Sequence, residues 1–206
     1  MKISFAITVC NELDEIKRLI PFLLENKRIE DEIVILYDEK NGTEDVLNFL
    51  LSYNTLPNVQ TWRSLDWNND FAEWKNKLNG YCSGDYVFQL DADEMISEYM
   101  IKNVSVILEM NPNIDLIFVP RVNTVDGITN EHIQKWNWRV DENQWINFPD
   151  YQGRIYKKNM TWYGRVHERI IGGKYFSTLP TEYTYCLIHH KTISRQEKQN
   201  DFYNKI

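Results

Sequence analysis

The 206-residue chain has no run approaching the ~20 consecutive apolar residues of a membrane-spanning helix, so an integral helical membrane protein is excluded. Its first ten residues, with Asn11-Glu12 next, are too short for a secretory signal peptide. Cysteine is scarce: Cys10, Cys82 and Cys186 are odd in number and widely spaced, which argues against a disulfide framework or a zinc site. These absences together predict a soluble, cytoplasmic protein in a reducing compartment. Basic blocks longer than a pair are also missing from a chain of net charge −7, which excludes a general nucleic-acid binder. No Ser/His/Asp or Cys/His set for nucleophilic catalysis is evident, and there is no internal repeat. What is present is ordinary for a globular protein, with 43% hydrophobic and 26% charged residues. One compact domain over residues 1–206 is expected.

Apolar runs alternate with helical stripes over the first part of the chain. Lys2–Val9 reads as a strand covered on both faces. A helical stripe follows at Ile16, Leu19, Ile20, Leu23 and Leu24, with Pro21 expected to kink or restart it. Ile33–Tyr37 is a second strand ending at Asp38, and Val46, Leu47, Leu50 and Leu51 mark a second helix. Val59–Arg63 reads as a weaker strand, Asp70–Tyr81 as a helix and Tyr86–Leu90 as a short apolar strand. Ser97 suits the cap of the next helix, which Asn111-Pro112 stops; Leu116–Val122 is strand again. Such alternation predicts an α/β fold with a mostly parallel sheet flanked by helices. Asn123–Pro149 is polar and rich in tryptophan, and is expected to be a long irregular segment. Shorter strands are expected near Gly153–Lys157, Trp162–Ile170 and Thr184–His189, then a polar helix over Ser194–Ile206.

Ligands of parallel α/β sheets bind beyond the carboxyl ends of the strands. Polar clusters stand at three such ends: Asn11-Glu12, Asp38 and Asp91-Ala92-Asp93. Several acidic residues on one rim point to a nucleotide site. Carboxylates that leave water positions open suit Mg²⁺ or Mn²⁺ bound to a diphosphate.

The order Ile7-Thr8-Val9-Cys10-Asn11-Glu12, Asp38, Lys75-Asn76 and Ser83-Gly84-Asp85-Tyr86-Val87-Phe88-Gln89-Leu90-Asp91-Ala92-Asp93-Glu94 resembles the family 2 glycosyltransferases of the GT-A fold. Gly164-Arg165-Val166-His167-Glu168 and Leu187-Ile188-His189 resemble a lipopolysaccharide-core-biosynthesis-like branch of that family. The resemblance implies a Rossmann-like nucleotide-sugar half over residues 1–122 and an acceptor-binding, metal-completing half over 123–206. It implies that Asn11, Glu12 and Asp38 hold the base and ribose of the donor. Lys75, or Asn76 beside it, would stand near the ribose or diphosphate; Asp91 would contact the nucleoside and Asp93 the divalent metal. A UDP-sugar is the donor that the resemblance suggests by default. The loop Glu39-Lys40-Asn41-Gly42-Thr43-Glu44 is longer than the family's usual turn. The absence of a Gln-x-x-Arg-Trp motif disfavours a processive synthase.

Three of the four histidines lie late in the chain. His189 is the expected second metal ligand, preferred over His190, with packing against the sheet as the alternative for either. Glu168 is the candidate general base, because an acceptor hydroxyl must lose its proton as it attacks. Its structural alternative is an ion pair with Arg165 or Arg169, and Asp126 and Glu94 are rival bases. Arg154, Arg165, Arg169 and Lys191 form a group of cations suited to a leaving diphosphate. The expected activity is an inverting, metal-dependent transfer of a sugar to a hydroxyl of a glycan, a lipid-linked molecule or a protein. Trp136–Trp145 is the expected acceptor wall. Two rival readings are a metal-dependent phosphotransferase or nucleotidyltransferase, and a non-catalytic carbohydrate- or nucleotide-binding module.

Overall fold

The computed structural model describes residues 1–203 and 205. In chain order the elements are β1 (Ile3–Val9), α1 (Leu13–Asn26), β2 (Glu32–Asp38), α2 (Glu44–Leu51), β3 (Val59–Ser64), α3 (Phe71–Tyr81), β4 (Tyr86–Asp91), β5 (Glu94–Met95) and α4 (Glu98–Met110). There follow β6 (Leu116–Asp126), α5 (Asn130–Lys135), β7 (Asp150–Lys157), β8 (Thr161–Tyr163), β9 (Arg169–Ile171), β10 (Phe176–Thr178), β11 (Leu187–Thr192) and α6 (Ile193–Tyr203). The main sheet runs β3-β2-β1-β4-β7-β6-β11-β5, with β10 beside β6; β8 and β9 form a separate hairpin. The pairs β3-β2, β2-β1, β1-β4, β6-β11 and β6-β10 are parallel, so the sheet is mostly parallel. This is the α/β, GT-A architecture.

Period-two burial explains how the layers form. Ile3, Phe5, Ile7 and Val9 of β1 join the core beneath α1, α2 and α4, while Ala6 joins the core beneath α3 on the other face. All seven residues of β2 are buried, as a strand covered on both faces requires. Ser97 accepts a hydrogen bond from Met100 N and Asp70 one from Glu73 N, so α4 and α3 begin with side-chain caps. Each fully buried Leu or Ile on α1 contributes roughly 1.5–3 kcal/mol of transfer free energy. That packing carries α1 unbroken through Pro21, against the expected restart.

A buried carboxylate ties the first strands together. Glu32 of β2 accepts from Lys2 Nζ at 2.6 Å, Ser4 Oγ at 2.6 Å, Ser83 N at 2.6 Å and Ser83 Oγ at 2.7 Å. Burial alone would raise its carboxyl, but these donors hold it at about 2. The turn into β4 passes so close to β1 that a Cβ on Gly84 would lie 2.7 Å from Ser4 N. Glycine is therefore required there by contact.

One later expectation changes. Asn123–Pro149 is only partly irregular, because β6 extends to Asp126 and Thr129 opens α5 with a capping box to His132. β7 lies between β4 and β6, antiparallel to both, with Ile155 opposite Phe88 on one side and Ile117 on the other. The C-terminal helix occupies Ile193–Tyr203; Asn204 and Ile206 lie outside the described residues. No helix among the described residues is long and apolar enough to cross a membrane, and all three cysteines are free.

Candidate active site

Parallel pairing of β2, β1 and β4 delivers their carboxyl ends to one edge, and a cleft of about 1520 Å³ opens there. Asn11, Glu12, Asp38, Lys75, Asp91, Asp93, Glu168 and His189 all line it. Asn76 does not. Its amide donates to Trp162 O and accepts from Trp162 N, both at 2.8 Å, so it clasps β8 rather than facing a ligand.

At the β1 and β2 ends the carboxylates already organise their own loops. Glu12 Oε2 accepts from Cys10 N at 2.7 Å and Asn11 N at 3.0 Å, and burial raises its carboxyl despite those donors. Asp38 Oδ1 accepts from Lys40 N and Asn41 N, and Oδ2 from Asn41 Nδ2 at 2.7 Å. The long loop after Asp38 is thus folded back on its carboxylate. Burial, with the negative charges of Glu12 and Asp38, pushes the Cys10 thiol up to about 12, which favours the neutral thiol beside them.

Asp91 ends β4 between two buried cations. Arg154 of β7 reaches its Oδ2 at 2.7 Å, and Lys75 of α3 reaches its Oδ1 at 3.2 Å. Burial would raise the Asp91 carboxyl, but the Arg154 and Lys75 charges hold it well below the usual carboxylate range. Arg154 also binds Glu94 Oε1 at 2.6 Å, and Arg121 binds the same oxygen at 3.1 Å. Burial acts against the charged guanidinium of Arg154, yet Asp91 and Glu94 keep it protonated. Glu94 is wholly buried in this network and also accepts from Asp91 N, which removes it as a rival base.

Asp93 sits in the turn into β5, and β5 pairs with β11 so that Glu94 lies opposite His189. His189 Nε2 stands 3.3 Å from Asp93 Oδ2, and Nδ1 stands 2.8 Å from Asn123 Oδ1. Asn123 Nδ2 donates to Asp150 Oδ2, which Arg121 also holds, so the Asn123 oxygen is fixed toward His189. His189 Nδ1 must then carry a proton, and a neutral ring turns the Nε2 lone pair toward a carboxylate. A cation between them, or a second proton on the ring, resolves that opposition. Lys191 and Arg195 approach the same Asp93 oxygen at 3.7 and 3.6 Å. Burial would raise the Asp93 carboxyl, but His189 and Lys191 lower it below the ordinary range. His190, next along β11, points to the other face, where it meets Thr124 and the exposed Asp126. Asp126 is thereby placed away from the other carboxylates.

Asp93 and His189 offer one carboxylate and one imidazole, donor types that a divalent ion takes, with Lys191 and Arg195 standing at the same Asp93 oxygen. Among the described residues, no group of three or more His, Cys, Asp or Glu side chains is arranged to hold a metal by itself.

Glu168 lies on the loop between β8 and β9, beside His167, which adopts the left-handed backbone at φ 53°. Its partner is neither Arg165 nor Arg169 but Lys75 Nζ, at 2.7 Å from Oε1. Lys75 is buried on the packed side of α3 with Ala72, Trp74 and Leu78. Of the four expected cations, Arg154 and Lys191 are buried in the cleft, Arg169 lies at its rim, and Arg165 binds Asn69 O outside it. Arg121 and Arg195 are additions that no periodicity or motif marked. Trp136 and Trp138 line the cleft, whereas Trp145 packs on Phe148 and Tyr183 away from it.

Comparison with known proteins adds an independent line. The family model described as Glycosyl transferase family 2 matches residues 4–189. No curated protein matches the sequence. The fold is similar to Staphylococcus aureus TarS 1-349, with TM-score 0.63 and 15% identity over 92% of this chain and 60% of that one. It is also similar to the same TarS portion in complex with UDP-GlcNAc, with TM-score 0.63 and 14% identity over 93% of this chain and 59% of that one. The chain therefore spans about three fifths of the length of those solved chains.

Proposed function

From the premise that this chain belongs to glycosyl transferase family 2, we propose that it transfers a sugar from a nucleoside-diphosphate donor to an acceptor hydroxyl, with inversion and with a divalent ion. The observation that carries this reading is the convergence of Glu12, Asp38, Asp91, Asp93, His189 and Glu168 on one cleft. The cleft exceeds the roughly 300–1,000 Å³ typical of a single small-molecule pocket, which supports two substrates side by side. In this reading the nucleoside lies over the ends of β1 and β2, near Asn11, Glu12 and Asp38, within the half formed by residues 1–122. Asp91 faces the nucleoside. Asp93 and His189 would hold Mn²⁺ or Mg²⁺, which would supply positive charge against that building on the leaving diphosphate. Lys191 and Arg195 add fixed positive charge at the same place.

Glu168 accepts the proton of the acceptor hydroxyl. The oxygen of that hydroxyl forms a bond to the anomeric carbon as the bond from that carbon to the diphosphate oxygen breaks. The nucleoside diphosphate then leaves with both bonding electrons. Trp136 and Trp138, in the half formed by residues 123–206, offer apolar faces to the acceptor. The TarS complex with UDP-GlcNAc supports a UDP-sugar as donor. The lipopolysaccharide-core-like branch rests on the Gly164–Glu168 and Leu187–His189 motifs, and a cytoplasmic location on the free cysteines.

The test uses a panel of UDP-, GDP- and ADP-sugars with Mn²⁺. One of them raises the melting temperature, since a ligand that binds only the native state stabilises it. That donor releases nucleoside diphosphate, and Asp93→Ala lowers the release by about 10²–10³-fold while the fold persists. Full release by Asp93→Ala in the presence of chelator would remove the metal from this mechanism. Binding without release indicates a binding module, and phosphoryl transfer in place of glycosyl transfer indicates a phosphotransferase.

A further inference from the structure

We propose that Lys75 is a positioning residue for Glu168, fixing the base against the reaction centre rather than binding the donor. This rests on the reading of Glu168 as the base. The ammonium of Lys75 has three N–H donors and already has three partners. They are Glu168 Oε1 at 2.7 Å, Asp91 Oδ1 at 3.2 Å and the face of Trp162 at 4.7 Å. One of these contacts is a hydrogen bond, to Glu168, and with only 4% of the residue exposed the ammonium is turned to these partners rather than toward open cleft.

The surroundings are built for the same purpose. Trp162 is buried, its indole N–H donates to Tyr156 Oη at 2.9 Å, and its backbone is gripped in both directions by Asn76. Neighbouring residues of one helix thus hold the two ends of a single unit: Asn76 fixes β8, and Lys75 fixes Glu168 just before β9. Asp91 and Glu168 are like charges that share one cation. Without the ammonium they repel, and the glutamate, on a loop rather than a strand, is the one free to move. The arrangement also places Glu168 one side chain away from the carboxylate that ends β4, hence within the reaction centre.

The test measures release of UDP from UDP-glucose, UDP-galactose and UDP-N-acetylglucosamine with Mn²⁺, water serving as acceptor. Lys75→Met lowers kcat by about 100-fold, the effect of a misplaced reacting group, with donor KM unchanged within about threefold. Lys75→Arg keeps the charge and recovers most of the rate. Lys75→Met/Glu168→Gln is no slower than Glu168→Gln alone, because the two residues act as one unit. That double variant also removes the repulsion, so it provides a folded reference should Lys75→Met fold poorly. A raised donor KM with normal kcat in Lys75→Met overturns the proposal and returns Lys75 to donor binding; additive losses in the double variant overturn it as well. An undiminished Glu168→Gln instead removes the base reading and this inference with it.

Discussion

The first 122 residues and the remainder reach the same cleft by different routes. In the first part β2, β1 and β4, rich in Ile, Val and Phe, pair in parallel, and each carries its polar cluster to the edge by its own length. In the second part β7 is antiparallel to both its neighbours, β8, β9 and β10 have three residues each, and charged side chains do much of the placing. Arg121, Asp150, Asn123 and His189 form a chain of contacts, and Arg154 bridges Asp91 and Glu94. The comparison teaches that the first region is held chiefly by apolar burial, whereas the second adds polar pairing into the first to its own buried Ile155, Tyr156 and Leu187.

The largest expected effect tests the apolar side of that contrast. Phe88 is fully buried in β4, and Phe88→Ala should destabilise the protein by about 3–5 kcal/mol through lost transfer energy and a cavity. Urea unfolding measures it, and a loss below about 1 kcal/mol would break the contrast. Glu32 is the polar exception within the first region. Its carboxyl is lowered from 4.5 to about 2 in the folded state, so its stabilisation is complete above pH 4.5 and is lost as the pH falls toward 2. Unfolding free energies measured from pH 5 to pH 2 should fall over that window, and Glu32→Gln should flatten the slope. An equal slope in the variant would assign the acid sensitivity to other carboxylates. The smallest effect belongs to the cleft wall of the second region. Trp138→Ala should change stability by less than about 0.5 kcal/mol, because no core rests on it, and leave binding of the donor sugar intact. A weakened donor affinity would move the donor toward the tryptophans and blur the division.

Legibility in the sequence follows the same line. The elements of the first region were readable because period-two and period-3.6 patterns there coincide with burial, and Ser97 and Asp70 mark their helix starts. Asp91 and Asp93 stood out because a short apolar strand delivers them. In the second region the patterns are short, and position depends on pairing with distant strands. Nothing local to Asp150–Lys157 marks it as the strand that separates β4 from β6. Nothing local to Glu168 identifies Lys75, 93 positions earlier, as its partner. Asn76 misled because an amide beside a ligand and an amide clasping a backbone look the same in one dimension.

The antiparallel β7 at the centre of the sheet has a consequence for how the molecule comes into being. A nascent chain that has reached only residue 122 holds β1 to β4 and most of β6 yet lacks the strand that joins them. β4 then presents bare peptide groups, the kind of open border on which chains aggregate. The region up to residue 122 is thus no separable fragment. It waits during synthesis for a strand that begins at Asp150, and a chain interrupted before that point would be prone to stick to its neighbours.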